Sequence, residues 1–355
     1  MMTRRTGLLA ALAALGALTF SPAMAEEKKD FKIAWSIYAG WMPWGYAADH
    51  GIVKKWAEKY GITIEVTQFN DYVESINQYT AGAYDAVTVT NMDALSIPAA
   101  GGVDTTAVIV GDFSNGNDAV ILKDGATLAD IKGRPVNLVE FSVSHYLLAR
   151  ALDSVGMSEQ DVQVINTADP DMIGAFQTPE VTAMVTWNPM VSAIVKLPGA
   201  TKVFDSSQIP GEILDLAVAN TETVKDNPDF AKAMAGIWYD TVTLMAADTA
   251  EGAAARAAMG AASGTDQAGF EEQLAATKLY AKPSDAVAFV TSAELGAKMD
   301  HVRKFLFDKG LLGPSASSPD AVGIALGDGT VLGDGANVKL RFAPDWMQAA
   351  ADGKL

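Results

Sequence analysis

The sequence predicts an α/β protein of two lobes, each a mostly parallel sheet flanked by helices, with a helical C-terminal extension. Three observations predict it. Short β-branched runs alternate with amphipathic stretches from Phe31 to about Val218, the pattern of strand–helix–strand units. A turn-rich segment, Ser114-Asn115-Gly116-Asn117, interrupts that alternation as a crossover would. From Asn227 onward amphipathic and Ala-rich stretches such as Gly252–Ala262 predominate.

The chain opens as an export signal. Arg4 and Arg5 precede an apolar run, Leu8–Phe20, and Ala23-Met24-Ala25 is a small-x-small cleavage pattern. Residues 1–25 are therefore read as a signal peptide, with the mature chain starting near Glu26 in the periplasm. No other segment approaches the length of a membrane span, so stable insertion after signal removal is not expected.

Phe31–Ser36 reads as a strand, Trp44–Tyr60 as a helix stopped by Gly61, and Ile62–Val66 as a second strand. Asp71 and Glu74 fit a capping box that opens a helix to about Ala81. Ala86–Val89 is a third strand, Asp93–Ala100 a short helix and Thr106–Val110 a fourth strand. Beyond the crossover come a strand at Ala119–Leu122, a short helix at Leu128–Lys132 and a strand at Val136–Val139. A helix from Ser144 to Val155 follows, stopped by Gly156, then strands at Val162–Ile165 and Val181–Val185. Leu214–Val218 carries the chain back. Near the end, Gly327-Asp328-Gly329 is a turn between short strands and Asn337–Phe342 a last strand. The expected organisation is 26–114 as the first part of one lobe, 115–213 as an inserted second lobe, and 214–355 as the return and helical region. Two crossings between lobes make a hinged cleft that can close on a ligand.

Composition narrows the partners. The formal net charge is −17, which argues against nucleic acid and anionic lipid. There is no cysteine, hence no disulfide framework and no lipid-modified cysteine. The three histidines do not cluster with carboxylates at metal-ligand spacing, so neither a metal nor another cofactor is expected. A monomer is expected.

Ligands in open α/β sheets bind beyond the carboxyl ends of strands. Five such ends share one chemistry: Trp35–Trp44, Asn70–Tyr72, Thr90–Asp93, Glu140–His145 and Thr186–Pro189 carry aromatics and carboxylates and no Lys or Arg. The candidate ligand-binding residues are Trp35, Tyr38, Trp41, Trp44, Asp71, Asn91, Asp93, Glu140, Ser142, Ser144 and Trp187. The rings offer faces to a planar cation, and Asp71, Asp93 and Glu140 accept its N–H groups. Asn91, Ser142 and Ser144 suit the carbonyl of a neutral amide. Each has a plainer role open to it: Asp71 as a helix cap, Asp93 as a helix-start residue, the serines as caps, one of Trp41 and Trp44 as core. Asp215 is weighed for the hinge side of the cleft and stays outside the candidate set.

Four stretches resemble the nitrate/sulfonate/taurine-type solute-binding proteins of ABC transporters: Ala126–Val136, Ser142–Leu148, Val181–Pro189 and Tyr84–Val87. The resemblance implies the two-lobed periplasmic-binding-protein fold (type II) and a receptor that delivers solute to a membrane permease. Ala34–Trp44 and Val139–Ser142 are most similar to the branch associated with urea and guanidine carboxylase systems, which implies guanidinium, urea or a related small amide as solute. Two other readings stay open: an enzyme on the same scaffold, resembling pyrimidine-precursor synthases, and a receptor for nitrate- or sulfonate-type anions. The first lacks the cysteines that such an enzyme's iron site implies, and the second lacks basic residues at the strand ends.

Overall fold

A computed structural model describes residues 28–314 and 316–355. The signal segment at 1–25 lies outside the described residues. Among the described residues fourteen strands form two sheets. The larger contains β1 (Asp30–Ser36), β2 (Thr63–Phe69), β3 (Ala86–Thr90) and β4 (Thr105–Ser114) from the first third of the chain. The smaller contains β5 (Ala119–Lys123), β6 (Pro135–Leu138), β7 (Gln163–Asn166), β8 (Ala183–Thr186) and β9 (Ala200–Asp205). β10 (Leu214–Asn220) returns to the larger sheet, which β11 (Thr277–Leu279), β12 (Gly323–Ala325), β13 (Val331–Leu332) and β14 (Val338–Phe342) complete.

The larger sheet runs β13-β12-β14-β4-β10-β3-β1-β2, with β11 added against β4; the smaller runs β7-β6-β8-β5-β9. Both sheets are mixed rather than mostly parallel. The cause lies in the crossings. β1, β2 and β3 pair in parallel through helical connections, but β10 enters antiparallel to both β3 and β4. In the smaller sheet β5 is likewise antiparallel to β8 and β9. The C-terminal region is not purely helical, since four of its segments extend the larger sheet.

Central strands are closed to water on both faces. Every residue of β3 is buried, as are all but one of β4. Helices Met42–Asp49 and Ile52–Tyr60 pack with Pro228–Ala246 over the larger sheet. The single helix expected over Trp44–Tyr60 is thus two, broken at Gly51, whose φ of 75° no helix interior tolerates. Gly61 ends the second in the left-handed conformation, as expected. Asp71 caps Tyr72–Thr80 by accepting the Glu74 N–H, but the Glu74 carboxylate turns outward to Gln78, so the capping box is half made. Among the described residues no helix is long and apolar enough to cross a membrane.

Candidate functional site

β1 ends at Ser36, and the chain then turns sharply through Ala39–Trp41 into the next helix. Tyr38 stays extended and Trp41 starts the helix. Gly40 between them has no alternative. A Cβ there would lie 2.5 Å from a Tyr38 ring carbon and 2.6 Å from Asp112 Oδ2. Its absence lets a ring and a carboxylate meet over bare backbone.

Tyr38 and Trp41 form one wall of a pocket between the two sheets. Tyr72 at a helix start, Thr90 at the end of β3 and Asp215 in β10 line it from the larger-sheet half. Asp118 just before β5, Val143 at a helix start and Trp187 just after β8 line it from the other half. The cavity they enclose is about 10 Å³, room for about one water molecule, so a larger solute enters only as the two halves part. Tyr38 meets Trp41 edge-on at 5.2 Å and 74° between rings. Trp41 lies 5.6 Å from Tyr72 at 34°, and Tyr72 meets Trp187 at 5.5 Å and 71°. Trp187 Nε1 donates to the Ile37 carbonyl across the cleft, at 3.3 Å.

Carboxylates surround this cage. The antiparallel register sets Asp215 directly opposite Asp112. Asp112 Oδ1 accepts the Tyr38 hydroxyl at 3.2 Å. Its Oδ2, and Oδ2 of Asp215, are buried without a donor. Asp118 accepts the Ser114 hydroxyl, and Asp93 Oδ2 accepts Tyr72 Oη at 2.7 Å, Thr90 Oγ1 at 3.0 Å and the Val143 N–H at 3.0 Å. Burial pushes the Asp93 carboxyl up to about 6 against these three donors. Burial and the nearby Asp93 and Asp112 push Asp118 up to about 7. Burial also raises Asp112, and burial plus repulsion from Asp112 and Asp118 raises Asp215 well above the usual carboxylate range. The Tyr38 phenol rises well above its ordinary value through burial and the field of Asp112, Asp215 and Asp118. Among the described residues no Lys or Arg lines the pocket. Arg150, the first cation after the Glu140 loop, is held by Glu212 through Nε at 2.9 Å and Nη2 at 3.1 Å. Among the described residues no three His, Asp or Glu side chains are arranged to hold a metal ion.

Of the residues singled out from the sequence, Tyr38, Trp41 and Trp187 line the pocket. Asp93 stands directly behind Tyr72, Thr90 and Val143. The others are placed elsewhere, each for a visible reason. Trp35 packs its ring where a Cβ of residue 45 would be, over Gly45. Trp44 is core, 5.9 Å from Trp238. Asp71 is a helix cap. Asn91 ties the start of β10, donating to the Glu212 carbonyl and accepting the Leu214 N–H. Glu140 does not line the pocket; Phe141, at φ 62°, turns the chain so that the Val143 amide points to the cleft instead. Ser142 caps the helix that Val143 begins, and Ser144 in its first turn has a buried hydroxyl without a partner.

Tyr72, Thr90, Asp112, Asp118, Val143 and Asp215 complete the site beyond the sequence set. Asp112 and Asp215 were the hardest to see, because only strand pairing between distant segments puts them together.

A profile of the NMT1-like family matches residues 32–261. The chain belongs to that family. A Brucella abortus protein named as a binding protein is 29% identical over 242 residues, 66% of this chain and 72% of its own length. The alkanesulfonate-binding protein SsuA from Xanthomonas axonopodis pv. citri, solved bound to MOPS, superimposes with a TM-score of 0.69 at 18% identity. That match covers 84% of this chain and 99% of the other. The periplasmic nitrate-binding protein NrtA from Synechocystis superimposes with a TM-score of 0.57 at 13% identity, covering 93% and 99%. The fold is that of periplasmic solute-binding proteins.

Proposed function

We propose that this protein is the exported solute-binding component of an ABC importer and that its cleft captures a small planar cation, guanidinium above all. One observation carries the reading: four aromatic rings close a pocket walled by Asp118 and Asp215 and, among the described residues, lined by no basic side chain. Buried carboxylates without counter-charges are costly. A guanidinium ion supplies the missing charge, turns N–H groups to the acids around its rim and stacks its faces on rings. Urea has the shape but not the charge, and would leave the acids unbalanced. Nitrate or a sulfonate, the solutes named for the structural neighbours, would sit against Asp118 and Asp215 and could enter only with these acids protonated. In this reading the solute is handed to a permease unchanged.

A melting-temperature screen of the mature chain tests this. A ligand that binds only the folded state stabilises it, by about 2.7 kcal/mol at a hundredfold excess over Kd. Guanidinium at low, non-denaturing concentration is expected to raise the melting temperature in a saturable way, urea less, and nitrate, bicarbonate and taurine not at all. A response to nitrate or taurine without one to guanidinium would overturn the reading. Solute recovered chemically intact after long incubation separates a receptor from an enzyme.

A further inference from the structure

The two halves exchange carboxylates. Val143 is the first residue of the helix Val143–Ser154, and its N–H, one of the amides such a helix leaves without an internal partner, donates to Asp93 of the other half. Tyr72 is the first residue of the helix Tyr72–Thr80, and its N–H donates to Asp169, at 3.1 Å to Oδ2 and 3.4 Å to Oδ1. Asp169 lies in the segment just after β7. Both acids are buried, Asp93 at 2% exposure and Asp169 at 7%. Helix N-termini are ready-made anion sites, because free amides and the helix dipole both favour negative charge. Here these two termini are already filled by acids covalently fixed to the opposite half.

We propose that Asp93 and Asp169 are tethered anions that occupy the two helix ends where a free oxyanion would bind, so that the protein excludes anions with its own side chains and closes its halves on them. Asp93 is the better built of the pair. Its Oδ2 gathers three donors, of which Tyr72 Oη and Thr90 Oγ1 come from its own half and Val143 N from the other. Tyr72 links both contacts, with its amide on Asp169, its hydroxyl on Asp93 and its ring in the cage. Neutralising both helix ends also removes the positive potential that would oppose a cation a few ångströms away. That consequence rests on the cation reading; the occupancy of the helix ends does not.

The test omits guanidinium, so its outcome is separable from the choice of solute. Asp93→Ala removes a carboxylate group and leaves a space of about the size of formate. The melting temperature of the variant is followed against sodium formate, with sodium chloride at equal ionic strength as reference. The variant should melt below the wild type and regain at least half of the difference with formate, saturably, while the wild type shows no formate-specific shift. Asp169→Ala, at the cleft margin, should respond in the same direction and more weakly. If Asp93→Ala is recovered only unfolded, refolding yield in formate against chloride becomes the readout for it, and formate alone should raise it. Absence of a formate effect in both variants overturns the proposal, as does a wild type that responds to formate as strongly as the variants do.

Discussion

Glu212 and Asp215 are three residues apart in the chain, and both are buried acids, at 7% and 3% exposure. Their surroundings are opposite. Glu212 receives a two-pronged contact from Arg150 and the Tyr146 hydroxyl at 2.8 Å, and these donors outweigh burial and hold its carboxyl below the usual range. Asp215 faces Asp112, has an oxygen with no donor, and is pushed up by burial and by its acidic neighbours. The fold balances the acid that ties its elements together and leaves without a basic partner the acid in the candidate pocket. Uncompensated charge in a closed pocket marks function better than charge itself does.

Substitution at the two positions should separate these roles. The largest effect is expected for Asp215→Asn, which removes one charge partner of the cation and should weaken guanidinium binding by roughly 30-fold or more, measured by calorimetric titration. The same change should leave the ligand-free protein about as stable as the wild type, because burial and the neighbouring acids keep Asp215 protonated and the new amide can donate to Asp112 in its place. Glu212→Gln should do the reverse. It breaks a buried ion pair, so denaturant unfolding should show a loss of about 2–3 kcal/mol, with guanidinium affinity of the folded fraction close to the wild type. If both variants lose stability alike, the contrast between the two acids is false.

pH sharpens the same contrast. The carboxyls of Asp93 and Asp118 lie above the ordinary Asp value in the folded chain. Between about pH 4 and 7 the folded state therefore binds more protons than the unfolded state, and these groups make the empty protein less stable as pH rises through that window. The depressed Glu212 carboxyl acts in a lower window, with its stabilisation present above the ordinary Glu value and lost as pH falls. Cation affinity runs the other way from empty-state stability. It should fall from pH 8 to pH 5, by about tenfold per unit for each proton that must first leave, as titration at several pH values would show.

The smaller effects concern the rings and the rim. Trp187→Leu removes one aromatic face and should weaken guanidinium binding by about 2- to 30-fold, the range of a single cation–π contact. Glu140→Gln should change affinity little, since that side chain does not line the pocket.

The alternation of strands and helices, and the aromatics that follow the strand ends, were legible in the sequence because they are local. Tyr38, Trp41 and Trp187 reach the pocket for that reason. What hid the decisive acids was pairing. Asp112 sits where β4 runs on past Val110, and nothing in its neighbourhood reveals that β10 will bring Asp215 opposite. Trp35 and Trp44 misled because a strand-end aromatic can serve core or cleft, and only the contacts with Gly45 and Trp238 decide. Glu140 misled through one left-handed residue, Phe141, that redirects the loop.

Proton exchange on binding tests the central claim most directly. Calorimetric titrations near pH 7, run in two buffers of different ionisation enthalpy, report how many protons move when solute enters. A cation that replaces the protons shared among the pocket acids must drive a net release, shrinking as pH rises toward 8.5. An anion could enter only as those acids gain protons. Net uptake, with nitrate or a sulfonate as the solute that binds, would contradict the account.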